Sequence, residues 1–352
     1  SYSVTGVQTC ALPISACGGI APLTLDAAAS SPDFEVVALQ DPDPAALRAV
    51  GERYGIARRH ERFEELLAEA VDFVVINSPN HLHLSQTLSA LEAGRHVLVQ
   101  KPMARTVAEA EQMARAAARA GLKLGVTLFE LGKPLHHELR AMLRTGWFGA
   151  PTLVQALASH TLYLRRPPAE GDWRSEEQKV GGGAFLQLGL HHLNLACWLL
   201  DQEVVSVAAL GRSGRTVFRD ETSVVSALLS GGTAAHFAAS YAADGYVFAV
   251  HGSEGRALLA QDHVLLHGQR PWRGKLLDYR EPGRESVMAR HEFQAAEQEL
   301  AVEVEVHGAF ARSLKGGPDY PGSAEVGLRD LRVVEAVARS IREGSGVALS
   351  HR

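Results

Sequence analysis

Two side chains in this sequence are well placed by type and context to move a proton. Lys101 follows the apolar run His96 to Gln100 (HVLVQ) and precedes Pro102. Long cationic chains seldom end a buried strand without a use, and a lysine desolvated beside another positive charge gives up its proton more readily. The alternative is a solvated surface lysine. His191 lies in GGGAFLQLGLHHLN, Gly181 to Asn194. Imidazole titrates near neutral pH and can accept and return a proton, unless the ring is a satisfied core histidine and His192 is the exposed one. The pairs His81/His83, His136/His137 and His191/His192 have neither HExxH spacing nor nearby cysteines, so no metal site is expected.

A second group of residues could hold a dinucleotide. ACGGIA, Ala16 to Ala21, stands where a strand hands over to a helix and fits G-x-G-x-x-G/A, except that Ala16 replaces the first glycine. Gly18, with Gly19 and Ile20 in the same turn, would let the backbone approach a pyrophosphate at the helix N-terminus, and small Ala21 would let helix pack on strand. Asp41 ends the next strand, where a carboxylate accepts hydrogen bonds from an adenosine ribose and repels a 2′-phosphate. The DPDP context lacks the Ser-Arg pair that would welcome that phosphate, so NAD is expected rather than NADP. Asp41 could equally serve as a helix cap or turn residue. Asn80 and His83, in the loop after VDFVVIN, would lie near the cofactor by the switch-point rule.

The elements that must position these groups alternate. A helix at Leu23 to Ser30, a strand at Phe34 to Gln40, a helix at Ala45 to Tyr54, an amphipathic helix near Phe63 to Glu69, the strand VDFVVIN, a helix at Leu84 to Ala93, the strand HVLVQ, a helix at Val107 to Ala120 and the strand LKLGV follow in turn. This is a doubly wound parallel sheet, a Rossmann domain over residues 16–127. Over residues 128–352 the strands become consecutive (PTLVQALASH, EVVSVAALG, SVVSALLS, TAAHFAASYAA, YVFAVHG, RALLAQ). With helices at Leu135 to Arg144, His192 to Leu200 and Asp330 to Glu343, they predict an α+β domain with a large, mostly antiparallel open sheet. Arg270 to Glu299 is polar and aperiodic, and its role stays open.

SPNHLH (Ser78 to His83), LEAGRHVLVQKPMARTVAEA (Leu91 to Ala110), the Gly181 to Asn194 segment and HGSEG (His251 to Gly255) resemble, in order and spacing, the signature segments of the glucose-fructose oxidoreductase, inositol dehydrogenase and rhizopine-catabolism family. The resemblance runs from Ala16 to the C-terminus. It implies an NAD-binding Rossmann domain, with Ser78, Pro79, Gln100 and Lys101 added to the cofactor site, and a second domain that carries substrate contacts and often the oligomer interface. By the same resemblance Lys101 points at the substrate hydroxyl, His191 accepts or relays its proton, Gln187 orients the substrate, and Trp173, Arg174 and Asn194 lie at the substrate pocket. Three positions depart from the family pattern: Gln100, Gln187 and Asn194 stand where acids are usual. Each amide keeps hydrogen bonding but removes charge that would hold Lys101 or His191 protonated.

The expected activity is hydride transfer between nicotinamide and a secondary alcohol of a sugar, inositol or related polyol. Its rivals are an NAD-cofactored glycosidase or lyase that oxidises its substrate transiently, and an inactive sugar or NAD sensor. With 35 basic and 40 acidic residues the net charge is -5, which offers no field for nucleic acid or an anionic membrane. No run approaches bilayer length, and Cys10, Cys17 and Cys197 form no disulfide framework. A small-molecule partner, a cytoplasmic location and a homodimer or homotetramer are expected. Val4 to Ile14 (VTGVQTCALPI) resembles a translated sequencing adapter, so residues 1–15 are expected to be foreign sequence in place of the first strand. Pro13 points the same way, since it would remove a ladder donor from a central strand.

Overall fold

The computed structural model describes residues 9–289 and 299–349. Residues 4–8 of the adapter-like segment and 290–298 of the polar stretch lie outside the described residues. The chain divides into two compact units.

The first unit opens with β1 (Cys10–Ser15), α1 (Ala21–Ser30), β2 (Phe34–Gln40), α2 (Pro44–Tyr54), β3 (Arg58–His60) and α3 (Phe63–Leu67). It continues with β4 (Phe73–Ile76), α4 (His83–Glu92), β5 (His96–Gln100), α5 (Val107–Ala120) and β6 (Leu124–Thr127). The helix ends follow local chemistry. Asp43 accepts the Ala45 N–H ahead of Pro44, Thr106 accepts the Glu109 N–H, and Gly55 and Gly121 close α2 and α5 in the left-handed conformation. The strands form one parallel sheet in the order β3-β2-β1-β4-β5-β6.

β1 is therefore an interior strand, with Cys10, Leu12 and Ile14 buried. The expected conflict with Pro13 is met by a bulge: Leu12 pairs with Val36 but Pro13 pairs with Ala38. Skipping one residue of β2 opens the ladder at the ring that has no N–H to donate.

The second unit contains α6 (Pro134–Arg144), β7 (Pro151–Ser159), the short α7 (Leu162–Arg165) and α8 (Glu177–Val180), then α9 (Leu190–Leu200). The strands β8 (Val204–Arg212), β9 (Thr222–Leu229), β10 (Ala234–Ser240), β11 (Gly245–Gly252), β12 (Gly255–Ala260) and β13 (His263–Gly268) follow. The polar stretch then forms a small hairpin, β14 (Trp272–Arg273) with β15 (Asp278–Tyr279), and an edge strand, β16 (Glu285–Ala289). Glu138 on α6 staples the hairpin by accepting the N–H groups of Lys275, Leu276 and Leu277 and the Trp272 indole.

The remaining elements are α10 (Glu299–Leu314), α11 (Ala324–Glu343) and β17 (Val347–Ala348). With β17 the second sheet runs β16-β13-β12-β11-β7-β10-β9-β8-β17, antiparallel except for β7 with β10. The division into compact units does not follow the expected limit at residue 127 alone. The first unit extends to Gly132 and also takes in α10 and the chain up to Arg329. The reason is apolar: Val302, Val306 and Phe310 of α10 share one buried cluster with Leu25, Phe34 and Phe73, and Phe310 meets Phe73 edge-on at 5.2 Å between centroids.

Candidate active site

In the first unit, parallel strands deliver the loops that follow β1, β2, β4 and β5 to one edge of the sheet. The chain reverses its direction of travel between β1 and β4, where such sheets open a crevice. Gly18 and Gly19 are exposed there, and a Cβ built on either meets nothing within 4 Å. Ile20 opens α1 with no side-chain cap on its first N–H groups. Open space over uncapped helix amides fits an anionic pyrophosphate. Ala16, in place of the first fingerprint glycine, has φ of 71°, the left-handed conformation glycine would adopt without cost.

Asp41 leans on the same loop. Its Oδ2 accepts the Cys17 N–H at 2.7 Å and its Oδ1 the Asp43 N–H at 2.9 Å, and each oxygen keeps a further lone pair for a ribose. Burial, aided by the Asp41 charge, pushes the Cys17 thiol up to about 12, so it stays protonated beside the loop.

Lys101 follows β5 and is only partly exposed. Burial pushes its ammonium down to about 8. The Gln100 amide oxygen accepts the Lys101 N–H at 3.2 Å, a contact that asks for no carboxylate. Pro79 is partly accessible in the loop after β4, whereas Ser78 and Asn80 are buried. The Ser78 hydroxyl donates to Gln86 Oε1 at 2.7 Å, as does Ser15 from the end of β1 at 3.1 Å.

His83 corrects an expectation. It is fully buried, with Nδ1 2.9 Å from the Pro102 carbonyl and Nε2 2.8 Å from the Ser78 carbonyl. A ring closed to solvent and held between two carbonyls cannot touch a cofactor. It ties the loop after β4 to the Lys-Pro turn instead, and burial lowers its pKa.

In the second unit, the glycine run leads into a π-helical turn, Phe185–Gly189, that continues directly into α9. Such wide turns are uncommon and often sit at functional positions. Gln187 in the turn and His191 four residues on are both partly exposed, as is Trp173, over whose ring the Arg174 guanidinium stacks at 4.7 Å. His192 is the core member of its pair, 2% exposed and edge-on to Tyr246 at 5.0 Å. Of the two histidines, His191 is therefore the more exposed.

Asn194 also corrects an expectation. It is 1% exposed, and its Nδ2 donates to Asp330 Oδ2 of α11 at 2.7 Å. It anchors α9 rather than facing a substrate, and its departure from acid has a local cause, because an aspartate there would confront Asp330. Two further residues shape the site without having been expected: Gln86, which ties two loops of the first unit, and Asp220, whose carboxylate meets the start of the π-helical turn. Neither carries a sequence signal, since Gln86 acts by accepting the Ser15 and Ser78 hydroxyls and Asp220 by accepting an N–H 35 residues away.

A family model described as an oxidoreductase family with an NAD-binding Rossmann fold matches residues 16–128, and one described as the GFO/IDH/MocA C-terminal domain matches residues 136–258. The chain belongs to the Gfo/Idh/MocA oxidoreductase family. Its Gfo/Idh/MocA relatives include 1,5-anhydro-D-fructose reductase of Ensifer adhaerens, 32% identical over 180 residues, or 51% of this chain and 53% of that protein. D-apiose dehydrogenase of Paraburkholderia graminis is 28% identical over 325 residues, 90% of this chain and 83% of that one. Several Gfo/Idh/MocA relatives, the first included, are matched over only about half their length. Among solved structures, aldose-aldose oxidoreductase from Caulobacter crescentus has a TM-score of 0.80 at 27% identity, covering 97% of this chain and 100% of that one.

Proposed function

We propose that this protein is an NAD-dependent oxidoreductase that moves a hydride between nicotinamide and a secondary alcohol of a sugar, inositol or related polyol. The observation that carries the reading is Lys101, a lysine at the mouth of a nucleotide-binding sheet whose ammonium burial pushes down to about 8. A general base works best with a pKa near the operating pH. Names of Gfo/Idh/MocA relatives that act on sugars and inositols support the same substrate class.

Gly18, Gly19 and Ile20 would hold the pyrophosphate and Asp41 the ribose, with Ser78, Pro79, Asn80 and Gln100 shaping the nicotinamide end. When bound, NAD supplies the acceptor for the hydride. In the oxidative direction, neutral Lys101 takes the hydroxyl proton at Nζ as the carbinol C–H bond releases its electron pair, and His191 relays that proton. Gln187 orients the substrate as a neutral donor and acceptor. A free Asp41 charge and the absence of a basic neighbour in DPDPAA favour NAD over NADP.

Leu210 (76% exposed), Leu228 (44%) and Val287 (61%) lie in strands of the second sheet, and such apolar exposure supports a homodimer or homotetramer that covers it. Three buried free cysteines suit a reducing compartment, which supports a cytoplasmic location. Among the described residues no helix is long and apolar enough to cross a membrane.

The test is to incubate the protein with NAD and a panel of inositols, aldoses and anhydro sugars while following NADH absorbance. NADH growth with one polyol, lost in Lys101→Ala while NADH binding persists, is the expected result. Full turnover in Lys101→Ala, or no binding of NADH to the parent, would overturn the reading.

A further inference from the structure

Asp220 stands in the turn before β9, and three consecutive amides converge on it. Its Oδ2 accepts the Phe185 N–H at 3.1 Å, its main-chain carbonyl accepts the Ala184 N–H at 3.0 Å, and its carboxylate also takes the Gly183 N–H. These are the first amides of the π-helical turn, groups that a helix of its own cannot satisfy. The fit is close: a Cβ on Gly183 would fall 2.1 Å from Asp220 Oδ1. A Cβ on the middle residue of the triple glycine, Gly182, would press on the Leu186 side chain at 3.1 Å, whereas the last one is glycine because Asp220 occupies the place of its side chain.

We propose that Asp220 is the positioning residue of this helix, fixing its first amides and thereby where Gln187 and His191 stand. The inference rests on the reading of those two residues as site residues, but its test follows backbone order and is independent of turnover. Glu177 of α8 bears on the Asp220 carboxylate, and Tyr241, just past the end of β10, does so too, with Tyr163 of α7 packed against its ring. Burial, with Glu177 acting in the same direction, lifts the Asp220 carboxyl to about 6. An acid raised in this way adds stability at low pH that is lost as the pH climbs through that value. Its ionised form is therefore held at neutral pH against the interest of the fold, as expected of a group kept for placement.

Hydrogen exchange of the full chain, read by mass spectrometry, tests this. In Asp220→Asn, an amide Nδ2 meets backbone donors, and the peptide covering Gly183 to His191 should exchange on the order of tenfold faster near neutral pH while β1 and α1 are unchanged. Gly183→Ala, which displaces an intact Asp220, should do the same. In the parent, protection of this peptide corrected for intrinsic rates should rise as the pH drops through about 6, because the folded chain binds the Asp220 proton more tightly than the opened one, with no such step in Asp220→Asn. Unchanged exchange in both variants, a parent without the step, or faster exchange throughout the second unit would each overturn the proposal.

Discussion

Replacing Ala16 with glycine should stabilise the protein. Ala16 holds φ of 71° while its N–H donates to the Gln40 carbonyl at 2.8 Å, so the conformation is fixed by the handover from β1 to the glycine turn. An L residue in the left-handed region costs roughly 1–2 kcal/mol relative to its right-handed alternative. Glycine removes that strain but loosens the unfolded chain, which returns about 0.4–1 kcal/mol. The net gain is on the order of 0.5–1 kcal/mol, or roughly 1–4 °C in melting temperature for a unit of this size. Thermal unfolding followed by circular dichroism measures it, with Ala21→Gly as the control. Ala21 is fully buried in the first turn of α1, so its truncation should lower the melting temperature. A lower melting temperature for Ala16→Gly as well would show that the turn is not strained at this residue and refute the reasoning.

Lys101→Met should abolish turnover yet raise the melting temperature at neutral pH. A lysine whose folded pKa is depressed to about 8 adds stability above its unfolded value of 10.5 that is lost as the pH falls through 8, so the gain should vanish in alkaline buffer. Asn194→Asp should place two carboxylates 2.7 Å apart in the core and cost on the order of 2–3 kcal/mol; denaturant melts at falling pH should recover part of it, and an unchanged midpoint would contradict the assignment. His191→Ala should reduce kcat with little change in stability, whereas His192→Ala, which removes a ring packed on Tyr246 and Phe248, should lower stability by about 2–4 kcal/mol; the reverse pattern in paired kinetic and melting measurements would exchange their roles.

Much of the fold is legible because its elements carry local signals. The buried runs FVVI and HVLVQ, the Asp43-Pro44 start and the Thr106 cap each say what they are within a few residues. The helix α10 escapes such reading because AVEVEV alternates with period two, like a strand. Packing overrides that pattern: Glu303 is buried and accepts the Thr24 hydroxyl at 3.1 Å, a partner far along the chain. The site divides in the same way. Lys101, His191 and the glycine turn stand out through the motif that surrounds them. The burial of His83 against two carbonyls, the Asn194 pair with Asp330 and the grip of Asp220 depend on chain crossings that no local spacing encodes.

The return of α10 to the first unit sets an order of assembly during synthesis. Thr24 and Glu303 are 279 residues apart, so a nascent chain that has finished β6 still lacks the helix that covers Leu25, Phe34 and Phe73. Closing so long a loop is only modestly more costly than closing a short one, but such distant contacts form slowly. The nucleotide-binding unit therefore matures after most of the second unit has left the ribosome, and a fragment ending at Gly132 would present an apolar face to any chaperone that meets it.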